Sequence, residues 1–279
     1  MKVEQAKQIA SNAIEQLRQA LESGHSKRLK EYLAAMARFR RYSWHNVMLI
    51  ASQKPDARHV ASFHAWRTLG RFVKKGEKGI LILAPIVRKK AANNGEDEPN
   101  NSPVAVGFRA AYVFDISQTE GQALPEIGSV NGDPREYHQR LAKFVAEQGI
   151  AVEYSKEIAP ARGRSSGGKI SLLPGLSPAE EFATLAHEVA HELMHKAERR
   201  SSTTKRIRET EAEAVAFVVC SGIGLETGSA AQDYIGLYTG DAKLLSESLE
   251  YVQGTAIHIL KAIGADILGC VAWLLCFGV

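Results

Sequence analysis

His187-Glu188-Val189-Ala190-His191 constrains this chain more than any other stretch. Two histidines at this spacing return to nearly the same face of a helix one turn along, so both imidazoles can reach one metal ion. The glutamate beside the first histidine is then placed to serve as general base on water activated by that metal. Upstream, Ser177-Pro178-Ala179-Glu180 reads as a capping box, with Ser177 as N-cap and Pro178 in the first helical position. Phe182, Leu185, Ala186, Val189, Leu193 and Met194 follow at helical spacing and form an apolar stripe. His187 and His191 point roughly opposite that stripe. One side of the helix is therefore anchored in a core, while the other presents imidazoles to a cleft.

A zinc site that keeps a position open for water needs a third protein ligand. The supplier is Arg208-Glu209-Thr210-Glu211-Ala212-Glu213-Ala214-Val215, continuing through Val219. Read as a helix, it places Glu211 on the same face as Val215 and Val218. A carboxylate on an apolar face must be paired or bound to a metal. Glu211 is therefore expected as the ligand, ahead of Glu209 and Glu213 on the solvated side. The expected centre is Zn2+ held by His187, His191 and Glu211, with Glu188 as the catalytic base. His195 is expected behind the ligands or at the surface. Tyr154, Tyr234 and Tyr238 are candidates for an oxyanion partner by residue type alone.

Thr184 to His195, followed by Glu211-Ala212-Glu213-Ala214-Val215-Ala216, resembles the ImmA/IrrE-type zincin-like metallopeptidases, and more closely the peptidase half of ArdC-like antirestriction proteins. The resemblance implies zinc on His187, His191 and Glu211, and a catalytic role for Glu188. It covers about residues 135 to 260. Gly167-Gly168-Lys169-Ile170-Ser171-Leu172 resembles the strand along the rim of a zincin cleft, where an extended substrate can add by its edge.

Charge separates the chain into two halves. Residues 1–90 hold 19 Lys+Arg against 6 Asp+Glu, while residues 116–279 hold 15 against 21. The overall +4 thus conceals a strongly basic first half and an acidic second half. Such asymmetry points to a polyanion partner for the first half. Aromatic residues are interleaved with the cations: Arg38, Arg40, Arg41, Tyr42 and Trp44, then Phe63, Trp66, Arg67, Arg71, Lys74, Lys75 and Lys78. Bases of a single strand stack on exposed rings while cations follow the phosphates. The competing reading is that Phe63 and Trp66 are core residues packing a helix onto a sheet.

Tyr42-Ser43-Trp44-His45-Asn46-Val47-Met48-Leu49-Ile50, Phe63 to Arg71, and Val73 to Ile80 resemble the N-terminal single-stranded-DNA-binding domain of ArdC-like proteins. Tyr112-Val113-Phe114-Asp115-Ile116-Ser117-Gln118 resembles its closing strand. Both halves therefore resemble parts of one architecture, in the same order.

The expected fold class is α+β with two domains. A small helix-plus-antiparallel-sheet DNA-binding domain covers 1–118, a linker 119–134, a zincin-like metallopeptidase domain 135–265, and an apolar tail 266–279. Ile9, Ala13, Ile14, Leu17 and Leu21 mark a first amphipathic helix, and Ser43 is placed to cap another through Ile50. Residues 79–88 and 104–114 read as strands around a polar excursion from Ala91 to Pro103. Cys220, Cys270 and Cys276 lack metal-ligand spacing and sit in apolar surroundings, which suits free thiols in a reducing cytoplasm. Lys2, Glu4 and Lys7 interrupt any signal-peptide core. The apolar tail is too short to span a bilayer, so no membrane partner is expected.

The function these features suggest is a single-stranded-DNA-binding protein with a zinc-dependent peptidase acting on a protein substrate, in an antirestriction or mobile-element setting. A DNA-binding antirestriction module without turnover, and a repressor-cleaving regulatory peptidase, are the alternatives.

Overall fold

The computed structural model describes residues 2–23, 27–88, 104–122, 134–225 and 242–265. The expected polar excursion, the apolar tail, Tyr234, Tyr238, Cys270 and Cys276 lie outside the described residues.

Three helices open the chain: α1 (Lys2–Glu22), α2 (Lys27–Arg38) and α3 (Trp44–Gln53). Ala6, Ala10, Ala13, Leu17 and Leu21 line the buried stripe of α1 at helical spacing. Ser43 caps α3 by accepting the backbone N–H of Asn46. A mixed stretch follows, with β1 (Val60–Ser62), α4 (Phe63–Thr68), β2 (Arg71–Val73), β3 (Ile80–Arg88), β4 (Val104–Asp115) and β5 (Thr119–Gly121). β1, β4 and β3 form an antiparallel sheet in that order, and β2 pairs with β5 in a separate ribbon.

β3 is an edge of its sheet, and helix α3 closes that edge with side chains. The Asn46 amide donates to the Leu83 carbonyl at 2.8 Å and accepts the Leu83 N–H at 2.9 Å. Two turns along, Gln53 does the same for Leu81, at 2.9 and 3.0 Å. Two carboxamides thus replace a missing strand, satisfying backbone groups that would otherwise be open to pairing.

The second half contains α5 (Pro134–Glu147), β6 (Ala151–Tyr154), β7 (Gly163–Ser165), β8 (Lys169–Leu172), α6 (Pro178–Met194), α7 (Ala197–Ser202), α8 (Lys205–Gly222) and α9 (Ala242–Ala262). The strands order β6-β8-β7, with β6 parallel and β7 antiparallel to β8. The expected rim strand, Gly167 to Leu172, is therefore the middle strand. Gly167 and Gly168, with φ of 68° and 86°, turn the chain back so that β7 takes the outer position.

The chain is α+β as expected, and among the described residues its halves share one large core, with two small clusters beside it in the first half. One cluster runs from Leu33 and Met36 of α2 through Val215 and Val219 of α8 to Leu249 and Val252 of α9, and on to Phe182, Leu185 and Val189 of α6. β5 also places residues 119–121, expected in the linker, in a sheet with β2. The charge contrast between the halves marked a change of surface, which carries no information about where a core is interrupted.

Candidate metal centre

Helix α6 begins with the capping box expected for it: Ser177 accepts from the Glu180 N–H, and the Glu180 side chain returns to the Ser177 N–H. Phe182, Leu185, Ala186 and Val189 are fully buried, fixing the rotation of the helix. His187 and His191 then project together, with their Nε2 atoms 3.1 Å apart. Across from them, helix α8 supplies Glu209, whose Oε2 lies 3.6 Å from His187 Nε2 and 3.4 Å from His191 Nε2. Ligands of a tetrahedral ion at about 2.0–2.1 Å are about 3.3–3.4 Å from one another, so this donor set fits a divalent cation. Two imidazoles and one carboxylate suit zinc and also neighbouring first-row ions.

The carboxylate in this place is not the one expected. Glu211 is fully buried and spent elsewhere: it meets His195 Nε2 at 3.0 Å, accepts from Ser248 Oγ at 2.6 Å and pairs with Arg199. Burial does demand that such a carboxylate be paired, and here proteins groups pair it in full. A ligand serving an open cleft has to stand at the rim, and that is where the half-exposed Glu209 sits.

The imidazoles are oriented from behind. His187 Nδ1 lies 3.1 Å from Glu213 Oε2, and His191 Nδ1 lies 2.9 Å from His195 Nδ1. With His195 Nε2–H donating to Glu211, its Nδ1 accepts from His191, and both ligand histidines turn Nε2 towards the metal position. Burial lowers the pKa of His195, consistent with a neutral ring in this chain of hydrogen bonds. Burial alone would lower His187 too, but Glu209 and Glu213 outweigh it and push the group up to about 9. Hydrogen bonds from His187 and His191 hold Glu209 far below the usual carboxylate range.

Glu188 is buried, and that burial raises its pKa against the pull of the two imidazoles and a backbone hydrogen bond from Ser165. It owes its place to a glycine. A Cβ at Gly163 would stand 2.6 Å from both Glu188 Oε1 and Thr184 Cγ2, so only glycine lets β7 lie this close to α6. Beside the triad is a cleft of about 420 Å3, lined by Ser165, His191, His195, Lys196 and Arg200 among others. Tyr154, named as a possible oxyanion partner, directs its hydroxyl to Glu181 at 2.5 Å.

The residues expected to bind DNA divide sharply. Trp44 and Trp66 are each only 2% exposed and belong to the core; the Trp66 Nε1–H donates to the Phe114 carbonyl at 2.8 Å. Half-buried Tyr42 directs its hydroxyl to Val60 O at 3.3 Å. Arg40 bridges the halves, donating to Gly222 O and Ala265 O at 2.8 and 2.7 Å. Arg38 holds Ala57 O, Arg71 holds Thr119 and Gln122, and Lys74 holds Ser117 O. Arg41, Arg67, Lys75 and Lys78 stay exposed, with no side-chain partner among the described residues. The rings that reach solvent are Phe63, from the interleaved set, and Phe72, Phe108 and Tyr112 outside it, between 42% and 60% exposed. Phe108 and Tyr112 alternate with buried Val113 along β4, a period-two signal that could have been read from the strand.

Residues 4–114 match the family model of the N-terminal domain of anti-restriction factor ArdC. An uncharacterized protein of Bacillus anthracis is 26% identical over 276 residues, covering 83% of this chain and 47% of its own length, so the chain spans about half of that relative. The crystal structure of the antirestriction ArdC protein from plasmid R388, in its metal-free form, aligns with a TM-score of 0.56 at 20% identity, over 92% of this chain and 98% of that one. Its Mn(II)-bound form aligns with a TM-score of 0.55 at the same identity, over 91% and 98%. Among the described residues, no helix is long and apolar enough to cross a membrane. Residues 4–114 are thus similar to the ArdC N-terminal domain, and the chain shares the overall fold of the ArdC structure.

Proposed function

We propose that this chain is an antirestriction protein in which a metal-dependent peptidase is joined to a single-stranded-DNA-binding N-terminal half. The observation that carries the peptidase reading is the convergence of His187, His191 and Glu209 within 4.8 Å of one another, beside the buried carboxyl of Glu188. The three residues would hold a divalent cation, with zinc the ion this donor set suits and Mn(II) the one bound in the ArdC relative. A bound cation supplies a Lewis acid and lowers the pKa of water towards neutrality.

The chain's own groups do the rest. Burial gives Glu188 a carboxyl suited to taking a proton from water and returning it to the leaving amine. Strand β7 is the outer strand beside Glu188, so an extended peptide can align along it by backbone pairing. Lys196 and Arg200, together with Glu192, give the adjoining cleft charged groups for a peptide's polar side chains. On the N-terminal half, exposed Phe63, Phe72, Phe108 and Tyr112 supply stacking surfaces, and Arg67, Lys75 and Lys78 supply phosphate contacts.

The test is cleavage. The zinc-loaded protein, incubated with a bacterial extract and single-stranded DNA, should generate new protein N termini that the Glu188→Gln variant does not. New termini appearing equally with both proteins would remove the peptidase assignment, and a DNA-binding antirestriction module would remain.

A further inference from the structure

A second cleft, of about 410 Å3, opens where the N-terminal helices meet the end of α8. Three arginines line it, Arg38, Arg40 and Arg58, with His59 and Ser221, and no acidic side chain is among its lining residues. Like charges gathered in a cleft repel one another and focus a positive field into it.

What holds these cations matters. Arg38 is oriented by the Ala57 carbonyl at 2.8 Å, and Arg40 by the carbonyls of Gly222 and Ala265. The backbone N–H groups of Arg58 and His59 both donate to the buried Asp115 carboxylate, at 2.7 and 3.0 Å, which fixes the segment they stand on. The Arg58 guanidinium itself has no partner among the described residues. A carbonyl orients a guanidinium without neutralising it, whereas a carboxylate would cancel its charge. Arg38 and Arg58 therefore keep their positive charge in the cleft, as planar forks whose geometry matches phosphate oxygens.

We propose that this cleft is a phosphate-binding site, occupied by a phosphodiester of a single strand or by the phosphate of a free nucleotide. For the strand it rests on the DNA-binding reading above; for a free nucleotide it stands alone. Ser221 lies twelve residues from Glu209 on the same helix, about 18 Å at helical rise. A strand seated here would contact both halves of the chain and lie along the helix that carries Glu209.

The experiment titrates the full chain with a fluorescent oligothymidylate over a range of salt, then competes with thymidine monophosphate and with inorganic phosphate. The variants are Arg58→Ala and Arg58→Lys, whose melting temperatures should equal the parent's because the guanidinium bonds nothing. Arg58→Ala should weaken strand binding about tenfold and reduce the salt slope by about 0.7, the share of one phosphate on a single strand. Arg58→Lys should recover the slope and part of the affinity. Competition by the nucleotide in the parent, lost in Arg58→Ala, would show that a free phosphate also fits. If Arg58→Ala binds the strand with the parent's affinity and slope, the site is wrong while the DNA-binding reading stands. If the parent binds strand, nucleotide and phosphate not at all, both fall.

Discussion

His195 stands between a buried acid and a cleft-facing imidazole: its Nε2 is 3.0 Å from Glu211, and its Nδ1 is 2.9 Å from Nδ1 of His191. Glu211 is in turn held by Arg199 and Ser248, and the Arg199 guanidinium lies 3.7 Å from the centroid of the Tyr251 ring. Three glutamates within one turn and a half of α8 thus have three jobs. Glu209 faces the histidine pair, Glu211 anchors His195, and Glu213 orients His187.

Glu211→Gln should weaken metal binding without removing a ligand. Loss of the charge behind His195 loosens the tautomer and orientation of His191, and such changes cost about 10–100-fold in metal affinity. Competition with a chromophoric chelator measures it. Affinity equal to the parent's would show that the His195–Glu211 pair does nothing for the centre.

Asn46→Ala should destabilise the fold. It removes both side-chain bonds to Leu83 and leaves a backbone N–H and C=O of β3 without partners. The expected loss is about 2–3 kcal/mol, read from the midpoint of urea unfolding. A midpoint unchanged from the parent would mean the edge finds other partners.

Asp115 links stability to pH. Burial would raise its pKa, but hydrogen bonds from Ser117 and from the backbones of Arg58 and His59 outweigh that and hold it below its ordinary value. A depressed folded pKa contributes stability that is fully present above the unfolded value, about 3.9, and is lost as pH falls through the folded value. Asp115→Asn should therefore cost about 1–3 kcal/mol at pH 7. The gap between variant and parent should narrow as pH falls below about 4. Unfolding curves across that range check it; a gap independent of pH would contradict the charge argument.

Phe108→Ala and Trp66→Ala should behave oppositely. Phe108 is 60% exposed, so its loss should leave the melting temperature unchanged and weaken single-strand binding by about 1–3 kcal/mol. Trp66 is 2% exposed and packs with Ala61 and Ala65, so its loss should cost about 3–5 kcal/mol of stability. Binding isotherms and thermal melts on the same preparations separate the two effects. Unimpaired binding by Phe108→Ala would remove that ring from the DNA surface.

The capping box, the helix of α6, the strands β3 and β4 and the pairing of His187 with His191 were all legible in the sequence, because each rests on local spacing. Glu209 was not. Helical periodicity correctly buried Glu211, but whether a buried carboxylate meets a metal or an arginine depends on Arg199 and Ser248, which arrive from α7 and α9. Gly163 was equally hidden, since its role is set by the approach of β7 to α6. The tryptophans misled for a related reason: Trp44 and Trp66 occur among cations in the sequence, yet their rings turn inward to the core. Aromatic content near basic residues does not say which ring faces water; alternation along β4 does.

Metal stoichiometry tests the central claim most directly. Metal-replete protein, freed of loose ions and measured by elemental analysis, should hold one divalent ion per chain. His187→Ala and Glu209→Ala should each lose it, and Glu188→Gln should keep it. Parent protein without a stoichiometric ion, or Glu209→Ala retaining the parent's content, would contradict the centre described here.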